Sequence, residues 1–242
     1  MLWPTSDLIR YRIRATDGSI GTIRDLLFED HTWAVRWFVA DTGSWLPGRK
    51  VLLPPSCCGH PNGELEELPV DLTRQQIEDS PDRSSDEPVS RQLEGEIYSH
   101  YGWVPYWAAL PGAAAVPPVA PTLPPRAEEP PGDPHLRSAR EVVGYHIEAA
   151  DGEIGHVEEF LVDGDDWTVR YLVVDTRNWW PGKKVLVSPQ WIESIGRQDR
   201  QVHVELTREA IKSSPELSPD TVVSRDYEEL LYRHYQKPYY WA

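Results

Sequence analysis

One phrase occurs twice in this chain of 242 residues, and its two copies are 134 positions apart. The first copy reads DTGSWLPGRKVLLPP from Asp41, and the second reads DTRNWWPGKKVLVSP from Asp175. The same offset, without a gap, also relates the pairs Asp17/Asp151, Trp33/Trp167, Thr73/Thr207, Ser90/Ser224, Tyr101/Tyr235 and Trp107/Trp241. We therefore interpret the chain as an internal tandem duplication, with a first unit at 1–108 and a second unit at 135–242. Each unit has the size of one small domain.

The two units are separated by residues 109–134, which are rich in proline and alanine. This segment has no periodic apolar pattern, and such sequences favour an extended polyproline conformation. At about 3.1 Å per residue it would span on the order of 75 Å. We interpret it as a semi-rigid linker between the units.

Charge and cysteine content narrow the class of protein. The formal net charge is −15, from 24 basic and 39 acidic residues, so no basic surface for nucleic acid or anionic lipid is expected. No apolar run is long enough to span a membrane. The two cysteines, Cys57 and Cys58, correspond to Trp191 and Ile192 in the second unit, so these positions require bulk or apolarity rather than sulfur. We expect a cytoplasmic protein with no cofactor and no metal.

Each unit begins with a pattern of short strands. Asp17-Gly18 and Asp151-Gly152 are tight-turn signals. They are followed by runs rich in β-branched and aromatic residues, WAVRWFVADT and WTVRYLVVDT, which are typical of strands. The segments KVLLP, KVLVS, WIESIG and QVHVEL read as further strands. Several short strands, each ended by a turn, predict a small barrel or a strongly bent sheet in each unit.

Each unit then changes to a helical pattern. In LTREAIKSSP, Thr207 can cap a short helix that ends before Pro215. A second helix is predicted from Ser224. Its apolar face is expected to hold Tyr227, Leu230, Leu231 and His234 in the second unit, and Leu93, Ile97 and His100, with Glu96 as an exception, in the first. His100 and His234 are expected to be partly buried and hydrogen-bonded rather than metal ligands.

Four motifs in order, present twice, resemble the PRC-barrel family. They are DGxIG, the VVDTxxWxPGKKVLVSP phrase, LTREAIKSSPEL and the closing SRDYEELLYRHY…PYYW, quoted in their second-unit form. The resemblance covers nearly all of both units. It implies a mainly β fold of two tandem small antiparallel PRC-type β-barrels, each followed by short C-terminal helices. It also implies a role in assembly or interaction rather than catalysis.

The repeated carboxylates do not indicate an active site. Asp17 and Asp151 lie in Asp-Gly turns, and Asp41 and Asp175 are placed to bond their own loop backbone, although paired acid–base chemistry is the alternative. The motifs of common hydrolases and nucleotide-binding enzymes are absent from the sequence. We therefore predict that the chain is not an enzyme.

Acidic residues also cluster at one predicted hairpin tip of each unit. These residues are Asp163, Asp165 and Asp166 in the second unit, with Glu29, Asp30 and His31 at the corresponding tip of the first. The strand that follows the second tip offers no oxygen ligands, which excludes an EF-hand. We interpret both tips as solvated, with weak cation binding as the alternative.

The eleven tryptophans raise the question of a contact surface. Loop and tail aromatics either fold back over an open barrel end or form an exposed interaction patch. The candidate interaction residues are Trp45, Pro47, Trp103, Tyr106, Trp107, Trp179, Trp180, Pro181, Tyr240 and Trp241. Because two-fold pairing is the commonest arrangement of like modules, we expect the units to pack about a pseudo-two-fold axis near Trp45 and Trp179 or near the tails.

These observations leave two functional hypotheses. The first is a non-catalytic interaction or scaffold module with a protein partner and a regulatory or assembly-related role. The second is a small-ligand-binding protein that uses an aromatic-lined cleft between or within the barrels.

Overall fold

The computed structural model describes residues 1–43, 49–82, 89–108, 135–176 and 183–241. The predicted linker at 109–134 lies outside these ranges. So do five of the predicted interaction residues, namely Trp45, Pro47, Trp179, Trp180 and Pro181.

Both units place short strands before their longer helix. The first unit contains β1 (Leu2–Pro4), α1 (Thr5–Leu8), β2 (Arg12–Ala15), β3 (Gly18–Glu29), β4 (Val35–Asp41), β5 (Lys50–Leu53), β6 (Glu67–Pro69), α2 (Arg74–Glu78) and α3 (Arg91–Tyr101). The second contains β7 (Leu136–Ser138), α4 (Ala139–Val142), β8 (His146–Ala149), β9 (Gly152–Asp163), β10 (Val169–Asp175), β11 (Lys184–Val187), β12 (Ile192–Gly196), β13 (Gln201–Val204), α5 (Arg208–Ser213) and α6 (Arg225–Tyr235).

The strands form two sheets with corresponding orders, and the second has one additional strand, β12, at its end. One sheet runs β5-β4-β3-β2-β6 and the other runs β11-β10-β9-β8-β13-β12. All neighbours are antiparallel except β2 with β6 and β8 with β13. The prediction of a mainly β fold is therefore confirmed. The predicted closure into barrels is not seen among the described residues, because the strands at the two ends of each path do not pair with each other.

A glycine in the repeated DGxIG motif is required by close backbone packing. Gly21 and Gly155 have φ values of +134° and +116°. A Cβ atom at these positions would lie 2.0 Å from the carbonyl oxygen of Asp41 and 2.1 Å from that of Asp175. Only glycine therefore lets β3 and β9 pass so close to the ends of β4 and β10.

The two units exchange their first strands. β1 of the first unit pairs with β9 of the second, and β7 of the second pairs with β3 of the first. The registers are equivalent, since Leu2 faces Asp163 and Leu136 faces Glu29. Each unit therefore completes the sheet of the other, a relationship that three-residue strands without a clear pattern did not reveal in the sequence.

Carboxylates hold the short helices that follow the exchanged strands. Asp25 of the first unit accepts hydrogen bonds from Ser138 Oγ, at 2.6 Å, and from the Arg140 backbone N–H, at 3.2 Å. Glu159 occupies the equivalent position in the second unit and accepts a bond from the Ser6 backbone N–H at 3.2 Å. We refer to residues 2–8 and 136–142 as the exchanged arms.

The hairpin ends of the two units also meet. Ala34 and Thr168, which are 134 positions apart, form an isolated antiparallel bridge. The backbone bonds that join the hairpins are Val35 N–H to Trp167 O and Val169 N–H to Trp33 O, each 2.8 Å long. The expected pseudo-two-fold pairing thus centres on the Ala34–Thr168 bridge. The tail residue Tyr240 lines a cleft beside this bridge.

One hydrophobic cluster runs through both units. Ring contacts across the boundary join Phe28 to Phe160, with centroids 5.4 Å apart, and Phe38 to Trp167, at 4.7 Å. All four rings are buried and belong to the same cluster. The described parts of the two units therefore share an apolar core.

The helix caps agree with the sequence, but the buried faces of the long helices differ from the prediction. Ser224 caps α6 and Thr207 caps α5, as expected. The buried residues are Glu228, Leu231, Tyr232 and Tyr235 in α6, and Glu94, Ile97 and Tyr98 in α3. The apolar periodicity was misleading because a buried glutamate belongs to this face, and Leu230, which was assigned to it, is 54% exposed. None of the helices in the described ranges is long and apolar enough to span a membrane.

Candidate interaction site

The closing tails fold back onto their own units. In the first unit the centre of the Tyr106 ring lies 4.0 Å from the guanidinium group of Arg36 and 5.3 Å from that of Arg91. In the second unit Tyr240 lies 4.6 Å from Arg170 and 5.6 Å from Arg225. These cation–π contacts fix both tyrosines against the sheet.

A buried glutamate on the long helix of each unit binds the tyrosine of the closing tail. Glu94 accepts hydrogen bonds from Trp37 Nε1, at 2.6 Å, and from the Tyr106 hydroxyl, at 3.4 Å. Glu228 accepts bonds from the hydroxyls of Tyr171, at 2.8 Å, and Tyr240, at 3.0 Å. Each glutamate also forms an ion pair with an arginine at the start of its own helix. The tails are thereby tied to the sheet by hydrogen bonds that replace the lost hydration of a buried charge.

Burial also changes the acidity of the tyrosines around Glu228. Loss of hydration raises the pKa of Tyr171, and the neighbouring Tyr232 and Glu228 raise it further. Burial likewise raises the pKa of Tyr240, and Glu228 adds to the shift. These hydroxyls therefore remain protonated at neutral pH and act as hydrogen-bond donors to the carboxylate.

The tryptophans of the tails are also packed within their own units. Trp103 stacks on Tyr101 at 4.3 Å, and Trp107 contacts Tyr98 edge-on at 5.4 Å. Trp241 stacks on Tyr239 at 4.8 Å and lies 4.0 Å from the Arg225 guanidinium. Of the two interpretations of these aromatics, the described residues favour the one in which they fold back, although Trp107 keeps 36% of its surface exposed.

An apolar groove lies beside the exchanged arm of the first unit. It has a volume of about 950 Å³ and runs between β1 and the segment 217–223. The buried side chains of Leu161 and Val173 form part of its lining. Val222, which is 79% exposed, also lines the groove, together with Leu217 and Val223. Sequence reasoning missed this groove because its lining combines the two units.

The rim of this groove carries mainly negative charge. Its charged side chains are Asp7, Glu158, Glu159 and Lys184, and Lys184 Nζ is paired with Glu158 at 2.6 Å. The amino group of Met1, which also lines the groove, lies 3.4 Å from a carboxylate of the neighbouring hairpin tip. Because the local cations are already paired, a ligand with basic groups beside an apolar stretch fits this rim best.

A second, smaller cleft lies next to the pseudo-two-fold axis. Its volume is about 410 Å³, and it is lined by residues 30–33, 168–170 and 188–190, together with Ile192, Glu193 and Tyr240. Most of these side chains are polar, and Trp33 and Tyr240 supply the aromatic surface. Of the two clefts, this one has the aromatic lining that the small-ligand hypothesis requires.

Two histidines and an aspartate meet at the edge of that cleft. The Nε2 atoms of His31 and His135 are 3.4 Å apart, and His135 Nδ1 lies 3.1 Å from Asp30 Oδ1. These three residues can bring their ligand atoms within 4.8 Å of one another, as a metal site requires. The sequence drew attention to Asp30 and His31, but His135 is 104 positions away from His31 and its approach depends on the strand exchange.

The repeated turn carboxylates have structural partners. Asp17 Oδ1 accepts a hydrogen bond from the Arg74 backbone N–H at 2.8 Å, and Asp151 Oδ1 accepts one from Arg208 at 2.7 Å. The bond from Arg208 holds the pKa of Asp151 below its usual value. These contacts support the turn-and-cap interpretation of both residues.

Comparison with known proteins places the second unit in a family. Residues 134–211 match the family model of the PRC-barrel domain. An uncharacterized protein of Deinococcus radiodurans is 32% identical over 77 residues, which correspond to 31% of this chain and 26% of that protein. The match thus leaves most of the relative's length uncovered. The resemblance seen in the sequence is confirmed over residues 134–211, which match a PRC-barrel domain.

Proposed function

From the premise that this chain contains a PRC-barrel domain, we propose that it is a non-catalytic interaction module. Its partner is a protein that inserts an apolar segment, flanked by basic residues, into the groove beside β1. The observation that carries the proposal is the groove itself, which combines an apolar lining with an acidic rim.

The apolar lining supplies the attraction. Leu161 and Val173 are held rigidly in the sheet, while Val222 presents most of its surface to solvent at the edge of the groove. Covering such side chains removes apolar area from water, at about 25 cal/mol per Å². A volume of about 950 Å³ is large enough to accept several apolar side chains of a partner.

Charge determines which apolar segments are favoured. The chain as a whole is acidic, with a formal net charge of −15. At the groove rim the acidic residues are Asp7, Glu159 and Glu158, the last of which is paired with Lys184. Basic residues on either side of the apolar stretch would be drawn to this rim, mainly through a faster association rate that falls with added salt.

The carboxylates that repeat between the units support a non-catalytic role. Asp17 and Asp151 cap helices, and Glu94 and Glu228 hold the closing tails. A carboxylate already engaged in structural hydrogen bonds is poorly suited to act as a general acid or base.

The test uses short synthetic peptides with a Leu/Val core and lysines at both ends, titrated into the intact chain by fluorescence anisotropy. We expect binding that weakens by at least about tenfold in Val222→Asp, because a charge then enters the apolar lining. Val104→Asp is the matched control, since Val104 is 75% exposed and does not line the groove.

Three outcomes would contradict the proposal. Equal binding by Val222→Asp and the control would remove the groove as the docking site. Equal binding of peptides with glutamates at both ends would remove the charge selectivity. The absence of binding by any apolar peptide would overturn the interaction function at this surface.

A further inference from the structure

The separation of the two histidine nitrogens matches that of two ligands on one metal ion. His31 Nε2 and His135 Nε2 are 3.4 Å apart, and their ring centroids are 4.0 Å apart. In a tetrahedral zinc site with Zn–N bonds of about 2.0–2.1 Å, two nitrogen ligands lie roughly 3.4 Å from each other. The two nitrogens therefore have the spacing that such an ion requires, and the rings have to turn apart for both lone pairs to point at it.

Asp30 orients the His135 ring by a hydrogen bond, whereas its distance to the His31 ring is too long for one. Its Oδ1 atom lies 3.1 Å from His135 Nδ1 and 3.9 Å from His31 Nδ1. When Nδ1–H of a histidine faces a carboxylate, the lone pair is left on Nε2, the atom that can bind a metal. Arg137 holds the other oxygen, Oδ2, at 2.7 Å, and the Asp30 side chain is 9% exposed. The orienting carboxylate is thus fixed in place.

From this geometry we propose that His31 and His135 bind a transition-metal dication such as Zn²⁺ through their Nε2 atoms, with Asp30 as the orienting carboxylate. The side chains of His31 and His135 are 66% and 47% exposed, so water can complete the coordination shell. Imidazole ligands select zinc, copper or nickel over magnesium, which prefers oxygen.

The duplicated position in the second unit has a different chemistry. By the offset of 134, the equivalents of Asp30, His31 and His135 are Gly164, Asp165 and Met1. There the Met1 amino group lies 3.5 Å from Asp165 Oδ2, and an ion pair occupies the place of the two imidazoles. The proposed site therefore occurs once per chain, which sets the stoichiometry of binding.

Metal binding would join the two units where the second begins. His31 belongs to the β3–β4 hairpin of the first unit, and His135 immediately precedes β7, the strand exchanged onto β3. An ion held by both residues would favour the paired form of this arm, because it binds only when the arm is in place. The site would thus make the exchange between the units sensitive to metal.

The test is a calorimetric titration of the intact chain with Zn²⁺, with Mg²⁺ as a second titrant. We expect one Zn²⁺ per chain and no comparable binding of Mg²⁺. His31→Gln and His135→Gln should each weaken zinc binding by at least about tenfold. Near-ultraviolet circular dichroism should show that both variants are folded, since both rings lie at the surface.

His60→Gln is the matched control. His60 is an exposed histidine whose Nδ1 lies 3.6 Å from Asp165, at the equivalent hairpin of the second unit. We expect its zinc affinity to equal that of the unaltered chain. Hydrogen exchange should also show slower exchange in β7 with Zn²⁺, in the unaltered chain and the control only.

Equal affinity in all four proteins would overturn the proposal, because the ion would then bind elsewhere among the eight histidines. Absence of zinc binding to the intact chain would overturn it as well. Binding that depends on His31 and His135 without slower exchange in β7 would contradict the link to the arm.

Discussion

Ala34 and Thr168 occupy the same position in the two units, and they pair with each other. When a residue pairs with its own equivalent, the two-fold axis that relates the two units passes between the paired residues. The exchanged arms obey the same symmetry, since Leu2 with Asp163 matches Leu136 with Glu29. The chain therefore has the arrangement of an arm-exchanged homodimer whose subunits have been joined covalently.

Loss of an arm should destabilise the opposite unit. Leu8 is fully buried in α1, which packs against β9 of the second unit. We expect Leu8→Ala to lower the free energy of unfolding by about 2–5 kcal/mol and to speed hydrogen exchange in β9. Leu230→Ala, at a position 54% exposed, is the control and should change stability by less than about 0.5 kcal/mol. Unchanged exchange in β9 would show that the arm does not stabilise the second unit.

The second unit made alone, as residues 135–242, should form a homodimer. Its own arm has no β3 to pair with, but β9 of another copy offers the same edge in equivalent register. Glu159 would then cap the arm in place of Asp25, as it does for Ser6 in the intact chain. Analytical ultracentrifugation at high micromolar concentration should show a dimer, and adding residues 1–108 should convert it to a heterodimer. A folded monomer under these conditions would contradict the prediction.

The local features of the fold could be predicted from the sequence, whereas the exchange could not. Turn signals and runs of β-branched residues place β3, β4 and β5 and their equivalents, because these strands are fixed by their own side chains. The arms contain only LWP and LRS as strands, and three residues carry no periodicity. The strands that pair with the arms are determined by shape and register between the two units, and a local sequence pattern contains no information about such contacts.

The candidate site was predicted only in part for a related reason. Composition drew attention to Tyr106 and Tyr240, but a tail rich in aromatics has the same sequence pattern whether it is exposed or packed. Glu94 and Glu228 determine that the tails are packed, because they bind the tail tyrosines. Both are charged residues on the buried helix face, which the spacing of apolar residues predicted to be lined by leucine and tyrosine. The groove and the histidine pair both depend on contacts between units.

Removing the anchor of a tail should cost stability. In Glu228→Ala the hydroxyls of Tyr171 and Tyr240 lose their acceptor in a buried environment. We expect a loss of about 1–3 kcal/mol in urea unfolding. Glu229→Ala is the control, because Glu229 is paired with Arg233 at the surface and its loss should cost less than about 0.5 kcal/mol. Equal effects would mean that the buried carboxylate does not anchor the tail.

Trp241→Ala should also lower the unfolding midpoint of the second unit. The Trp241 ring stacks on Tyr239 and contacts Tyr232 edge-on at 5.3 Å, so its removal exposes apolar surface. We expect a cost of about 2 kcal/mol, measured by thermal unfolding followed by circular dichroism. An unchanged midpoint would instead make the tail a free recognition segment.

Stability should fall as the pH drops below about 4.5. Burial raises the pKa of Glu29, but hydrogen bonds from Arg36 and Thr32 outweigh it and leave the pKa below its usual 4.5. The equivalent residue in the second unit is Asp163. Burial raises its pKa, but the hydrogen bond from the Asp165 backbone N–H and the positive charges of the Met1 amino group and Arg170 outweigh burial and leave the pKa below its usual 3.8. A carboxylate with a lowered folded pKa stabilises the fold above its unfolded pKa, and this contribution is lost as pH falls through the folded value.

The matching measurement is the thermal midpoint between pH 7 and pH 3. Glu29→Gln should make the decline shallower, since that residue no longer takes up a proton on unfolding. Glu64→Gln, at an exposed position, is the control and should follow the unaltered chain. A slope unchanged by Glu29→Gln would exclude this residue as a source of the pH dependence.

The exchange of arms has a consequence for how the chain is made. During translation the C-terminal edge of β3 stays without a neighbour until residues 136–138 have left the ribosome, and β1 waits for residues 161–163. At about 5–20 residues per second this delay is on the order of ten seconds. During this delay, neighbouring nascent chains on the same messenger RNA expose identical arms and identical unpaired strand edges, which could pair between chains. Because the matching arm belongs to the same polypeptide, its high effective concentration should favour pairing within one chain over exchange between neighbouring chains.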